Sequence, residues 1–398
     1  MTDGRLRIVV LGYVVRGPLG GLVWHHLQYV LGLHRLGHDV VFVEEGGAEP
    51  DLYDPDRDDM TRDPAYGLAF VADAFGRVGL GGRWAYHDLA ASTWHGRGDV
   101  RAWARDADLV LNLSGVSAVR PWAQAVPARA LVDTDPVFTQ VRHLTEPDAR
   151  ALAERHTAFF TFAERWGRPG CTVPDDGLDW QPTRQPVVLG AWPVTPAPPD
   201  GPFTTVMQWD SYAERAWDGR TFGMKSASFG PYLDLPARTG AAFELAVGSP
   251  AAPRDRLSAA GWGVRDPRPP TRDAETYQRF IQGSTAEFSV AKHGYVATAS
   301  GWFSERTAAY LASGRAAVVQ DTGFSDGLPT GAGLHAFSTP DQAAAAVGAV
   351  RQSAAAEGRA ARDLAAAHFD AADVLASLVE RALELQSAAI APPQPAAP

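Results

Sequence analysis

The stretch RLRIVVLGYVVRGPLGGLVWHHLQYVLGLHRLGHDVVFVEE, residues 5–45, reads strand, loop, helix, strand. It opens on the β-branched run that a strand buried in a parallel sheet requires. RGPLGG (16–21) is a tight loop. Val23, Leu27, Val30 and Leu31 then recur at helical spacing, and Gly37 closes the helix. HDVVFVEE (38–45) is the second strand. Two strands joined through a helix make a βαβ unit, the opening of a doubly wound sheet.

Outward from that unit, ADLVLNLSG (107–115), ARALVDTDP (128–136) and HTAFFTFAE (156–164) read as further buried strands. AWPVTPAPPDGPF (191–203) contains five prolines, which predicts a stiff, extended connector. Beyond it the alternation restarts. TTVMQWDS (204–211), AFELAVGS (242–249), AEFSVAKHG (286–294) and AAVVQDTG (316–323) are strand-like; SERTAAYLASG (304–314) and PDQAAAAVGAVRQ (340–352) are helical. The alanine-rich segment 354–390 is helical by propensity. The expected organisation is a first α/β domain over 1–190, a linker over 191–203 and a second α/β domain over 204–375. A return helix over 376–390 and a disordered tail over 391–398 complete it. A chain of 398 residues exceeds the size at which one core keeps growing, which fits two domains.

The formal net charge of −10 argues against a nucleic-acid partner, whose phosphates need a basic surface. A small anion needs only local positive charge. Cys171 is the only cysteine, so disulfides within the chain and cysteine-rich zinc sites are excluded. The N-terminal apolar run is too short to span a bilayer and lacks a cleavage pattern, so a cytoplasmic protein without a transmembrane segment is expected. Among 36 basic residues only Lys225 and Lys292 are lysines. In so arginine-rich a chain, a retained lysine can mark a site needing a compact point charge.

In open α/β sheets ligands bind beyond the carboxyl ends of the strands. In the second half those ends carry Trp209, Asp210 and Ser211, then Lys292 and His293, then Gln320, Asp321 and Thr322. SGWFSERTAAYLASGR (300–315) belongs to the same rim. Ser304 caps the helix there, and the N–H groups of Glu305 and Arg306 are placed to meet an anion. A diphosphate suits such a site, with Trp302 and Phe303 as a wall against a base or sugar.

KHGYVATASGWFSERTAAYLASGRAAVVQDTGFSDGLPTGAGLHAFST (292–339) resembles the donor-binding half of GT-B-fold glycosyltransferases, most of all the bacterial group related to spore-maturation-type glycosyltransferases. GYVVRGPLGGLVWHHLQYVLGLHRLGHDVVFVEE (12–45) is similar to that group's acceptor domain. The resemblance implies two Rossmann-like domains facing a cleft, with a C-terminal helix crossing back to the first. It implies sugar transfer from a nucleoside diphosphate sugar to a small-molecule acceptor, as in natural-product biosynthesis. The donor residues it implies are Lys225, Lys292, Trp302, Ser304, Glu305, Arg306, Asp321, Thr322 and Gly323. On the acceptor side it points to Gly20, Gly21, His26 and Asp135, with His25 as general base. The adjacent helix N-terminus should keep that imidazole neutral. Asp133, like Asp135 at a strand end, is placed to orient a histidine or bind an acceptor amine. These carboxylates show no metal-ligand pattern, so neither a metal nor a cofactor beyond the sugar nucleotide is expected. One position departs from the family pattern: Ala309 stands where many such enzymes carry a ribose-binding glutamate, with Glu305 one turn earlier.

Two other readings stand beside this one. A nicotinamide-dependent oxidoreductase could use Glu44 or Glu45 as a ribose-binding acid, although GPLGG is not G-x-G-x-x-G and Pro18 stiffens the loop. A non-catalytic nucleotide-sugar-binding protein is the other, and Ala309 is its best support.

Overall fold

The computed structural model describes residues 4–198 and 200–390. The expected tail over 391–398 lies outside them. Eight strands form the first sheet: β1 (Arg7–Leu11), β2 (Asp39–Gly46), β3 (Trp84–Asp88), β4 (Thr93–Gly96), β5 (Leu109–Leu113), β6 (Ala128–Asp133), β7 (Ala158–Thr161) and β8 (Trp180–Pro182). Their order is β8-β7-β6-β5-β1-β2-β3-β4, parallel throughout except for the β3–β4 hairpin at one edge. Six strands form the second: β9 (Phe203–Gln208), β10 (Phe243–Gly248), β11 (Gly263–Arg265), β12 (Ala286–Ser289), β13 (Ala316–Gln320) and β14 (Leu334–Phe337). They run in the order β11-β10-β9-β12-β13-β14, all parallel. Central strands are apolar on both faces, as sheets covered by helices on each side must be; Ile8, Val9 and Val10 are fully buried in succession.

The helices that position the cleft are α1 (Gly20–Arg35), α2 (Phe138–Thr145), α3 (Ala274–Gln282), α4 (His293–Ala297), α5 (Glu305–Ala312), α6 (Ala354–His368) and α7 (Ala371–Ile390). The alanine-rich segment is two helices, broken at Phe369–Asp370. Phe369 is fully buried and stacks on Phe303 at 5.1 Å, and the backbone there bridges to Val187. After the break α7 buries Leu375, Leu378 and Ala382 against the first domain. Its approach depends on Gly32 of α1, where a Cβ would lie 2.5 Å from Leu375 Cδ1.

The proline-rich connector is extended, and it is fastened. Arg315, fully buried, donates to Thr195 O and Thr195 Oγ1 at 2.7 Å each and to Pro196 O at 3.2 Å. Gln278 and Gln282 of α3 donate to Ala191 O and Pro193 O at 2.6 and 3.0 Å. The connector is thereby part of the second domain's surface.

Candidate functional site

A cavity of about 640 Å³ opens between the carboxyl edges of the two sheets. That size suits a small-molecule site. From the second domain, Lys225, Lys292, Trp302, Ser304, Glu305 and Arg306 line it; from the first come His25 and Asp135. With Ser211, nine of the residues singled out in the sequence therefore meet in one space.

Ser304 caps α5, its Oγ accepting from Arg306 N at 3.2 Å, so one of the two N–H groups expected to face an anion is already used. The Arg306 side chain is also committed. Its Nε meets Glu287 Oε1 at 2.7 Å, Nη1 meets Val206 O at 2.8 Å, and Nη2 meets Ser289 Oγ at 2.7 Å. Burial works against this cation, but the Glu287 carboxylate outweighs it and raises the guanidinium pKa. Arg306 thus forms a neutralised floor rather than a free charge. Lys225 differs. It is 8% exposed, and no carboxylate among the described residues pairs with it. Burial, then the nearby Arg306 and Lys292 charges, lower its pKa to about 7.

Lys292 crosses the cleft. Its Nζ donates to Asp135 Oδ1 at 2.8 Å and to the Tyr212 hydroxyl at 2.9 Å, and it lies 4.6–5.4 Å from the rings of Tyr212, Phe138 and Tyr295. Such an aromatic box stabilises an ammonium beyond its ion pair. The Tyr212 and Tyr295 hydroxyls also donate to Asp135. Burial pushes the Asp135 carboxyl up, but Lys292 and these hydroxyls hold it below the usual range. Trp302 stacks on Tyr295 at 4.3 Å and donates from Nε1 to Thr134 O at 3.1 Å. Phe303, its neighbour, is core.

The loop carrying Asp135 is held under strain. Val137 sits at φ 75°, ψ −58°, costly for a β-branched residue, and its N–H donates to Gln140 Oε1 at 2.6 Å. Asp133 builds this loop and does not reach the cavity. Its carboxylate accepts from Thr139 Oγ1, Gln140 Nε2, Thr161 Oγ1 and Asp135 N at 2.6–3.1 Å. Burial raises its pKa against those bonds.

His25 and His26 part ways. His26 is fully buried: Nε2 accepts from Tyr13 N at 3.2 Å, Nδ1 meets Leu22 O at 2.9 Å, and burial lowers its pKa to about 3. It braces the first loop and cannot bind an acceptor. His25 lines the cavity with Nε2 unpartnered. Its ring is neutral, as expected, but burial, not a helix terminus, is what brings its pKa to about 4.

Five more expected residues lie elsewhere. Gly20 and Gly21 let α1 approach α3: a Cβ on Gly20 would stand 2.2 Å from Asp273 O, and one on Gly21 3.1 Å from the Tyr277 ring. Neither lines the main cavity. Asp321 accepts from Gly323 N at 2.8 Å and Ser325 Oγ at 2.6 Å, so it shapes its own turn. Thr322 donates to Trp302 O at 2.6 Å, and Gly323, at φ 96°, packs against Arg165. These three support Trp302 from behind. Tyr13, Ser114, Arg142, Tyr212, Arg215 and Tyr295 line the cavity without having been singled out. They sit in loops, on α2 and α4 or, for Arg215, on a short hairpin strand (Arg215–Trp217), and only the meeting of two domains brings them together.

The dinucleotide reading fails at Glu44. Its carboxylate accepts from the backbone N–H groups of Val14, Val15 and Arg16 at 2.6, 2.7 and 2.8 Å. Those are the groups a first-loop pyrophosphate would need. The chain's own carboxylate fills the nest. Glu45 is likewise held by Arg120 at 2.5 Å.

No protein-family model and no curated protein matches the chain. Solved structures do. AviGT4, a glycosyltransferase involved in avilamycin A biosynthesis, superposes with a TM-score of 0.53 at 14% identity, covering 96% of this chain and 98% of that one. HepE of Anabaena, solved with UDP and glucose, gives 0.54 at 11%, covering 95% and 99%. An α-glucosyltransferase in complex with UDP-glucose and DNA gives 0.57 at 9%, covering 95% and 100%. With these similarities the class is defined: the chain has the GT-B fold, two Rossmann-like domains facing a cleft and a C-terminal helix returning to the first. No helix among the described residues is long and apolar enough to cross a membrane.

Proposed function

We propose that this protein transfers a sugar from a nucleoside diphosphate sugar to a small-molecule acceptor bound in the cleft. One observation carries this: Lys225, a buried cation without a carboxylate partner, faces a cavity floored by the capped start of α5. A leaving diphosphate is the charge that such a lysine stabilises. Trp302, stacked on Tyr295, gives the sugar a wall, and Glu305, exposed at the rim, is free to meet hydroxyls. Solved structures of the same fold contain UDP, glucose or UDP-glucose, which supports the donor class. The net charge of −10 supports a small acceptor over a nucleic acid. A role in natural-product biosynthesis, a relation to the spore-maturation-type group and a cytoplasmic location accord with this reading.

The test is calorimetry with UDP and other nucleoside diphosphates, followed by turnover of their sugars with hydroxylated acceptors. Lys225→Ala is expected to weaken diphosphate binding by about 10- to 100-fold, the loss of one charge-assisted contact. The pH sign follows from the lowered pKa. Below pH 7 the free protein already carries the ammonium; above it, binding must take up a proton. Affinity should therefore fall by up to about tenfold per pH unit above 7, and Lys225→Ala should abolish that fall. Failure of every nucleoside diphosphate to bind the native protein would remove the proposal.

A further inference from the structure

The first-domain wall of the cavity carries a second cation without a partner. Arg142 lies one turn after Phe138 on α2, and both face the cavity. Its Nε is buried and meets no acceptor. Glu146, one turn further on, is the nearest carboxylate along the chain, and Arg215 of the other domain takes it at 2.5 Å. A guanidinium is always charged and its donors are costly to bury unmet, so a side chain left this way in a cleft is poised for a ligand.

The charges around it give the ligand's sign. Five basic side chains and two carboxylates line the cavity of a protein whose net charge is −10. Lys292 is taken by Asp135, Arg306 by Glu287 and Arg215 by Glu146. Lys225 and Arg142 are left, one on each domain. Asp135, on the same wall as Arg142, repels an incoming anion little, because Lys292 and two tyrosine hydroxyls already hold it.

We propose that the acceptor carries an anionic group, a carboxylate or a phosphate, which Arg142 grips from the first domain. The inference rests on the sugar-transfer reading and adds the acceptor's chemical class. The guanidinium fork matches either anion through paired N–H···O bonds. Lys225 serves the donor diphosphate and Arg142 the acceptor, so each substrate has its own cation.

Calorimetry on the full chain saturated with UDP tests it, with glucose, glucuronate and glucose 6-phosphate as matched neutral, carboxylate and phosphate probes. At least one anionic probe should bind tenfold or more tightly than glucose, and the tighter of the two identifies the anion. Arg142→Gln should bring both to the level of glucose while leaving UDP affinity unchanged, and Arg142→Lys should fall between. A thermal midpoint equal to wild type shows the variants folded. The proposal is overturned if no probe binds, if glucose binds as well as the anions, or if Arg142→Gln keeps the preference. It is equally overturned if Arg142→Gln weakens UDP as much as the anions, since Arg142 then belongs to the donor. Should native protein not bind UDP, the sugar-transfer reading fails instead; inorganic phosphate titrated into wild type and Arg142→Gln still shows whether Arg142 holds an anion.

Discussion

His25 shows how burial decides a residue's chemistry. A general base works best with a pKa near the operating pH, and this imidazole lies at about 4 with no carboxylate against it. Taking a proton from pH 7 solution would cost it ~4 kcal/mol. The leaving diphosphate, held by Lys225, is the better proton acceptor, and that route delivers the acceptor to the face the diphosphate leaves. We therefore expect product with the donor's anomeric configuration. His25→Ala should lower kcat/KM only about tenfold, through lost positioning of the sugar. The anomeric coupling constant in the product's proton NMR spectrum checks the first expectation and steady-state kinetics the second. Inverted product together with a loss of a thousandfold or more would make His25 the base. The residue types around this site were legible from the sequence, but their partners were not. Asp133 and Asp135 read alike at a strand end; only the fold shows that Thr139, Gln140 and Thr161 claim the first while the second faces the cleft.

At the scale of the element, α5 is the clearest case. Its cap, its length and its place after a glycine-bounded aromatic loop followed from SGWFSERTAAYLASG, and Ser304 caps it as that spacing predicts. The role of Arg306 did not follow. Glu287 is on β12, and a long-range pair across a strand and a helix leaves no periodic trace. The pair fastens α5 to the second sheet from a site where Glu287 is fully buried. Arg306→Ala should thus act mainly on stability, by about 3–5 kcal/mol, because it leaves a buried carboxylate uncompensated. Urea unfolding measures this. The double variant Arg306→Met with Glu287→Leu should recover most of the loss, since no unpaired charge remains. Equal destabilisation in the single and double variants would show that the ion pair is not the fastening. Strands were legible where apolar runs were long. β3 (WAYHD), β11 (GVR) and β14 (LHAF) were missed because none carries an unbroken β-branched apolar run: β3 ends in His87 and Asp88, β14 is interrupted by His335, and β11 is three largely exposed residues.

For the whole molecule, the sequence pointed to the proline-rich stretch as the joint between domains, yet the bonds point elsewhere. Arg315, Gln278 and Gln282 fix residues 191–196 to the second domain. The chain passes between domains at two adjacent places. Val187 N donates to Phe369 O at 2.7 Å, and Ala371 N donates to Val187 O at 2.9 Å. Two single strands of backbone crossing side by side make a natural axis, because rotation there changes few dihedrals. Across the cleft some closing contacts are polar: Lys292 with Asp135, Arg215 with Glu146, and Trp302 Nε1 with Thr134 O. Others are packed, Phe138 against Tyr212 and Tyr295 and α1 against α3. The polar contacts exchange readily with water, so the mouth of the cleft should open when no donor is bound and close when it is. Small-angle scattering should give a smaller radius of gyration with saturating nucleoside diphosphate than without. The double variant Pro196→Gly with Pro198→Gly should contract as the wild type does, because the linker's carbonyl anchors do not depend on those rings. A contraction that disappears in the double variant would return the hinge to the prolines. An unchanged radius in wild type would mean that the cleft is rigid and that substrates enter it already formed.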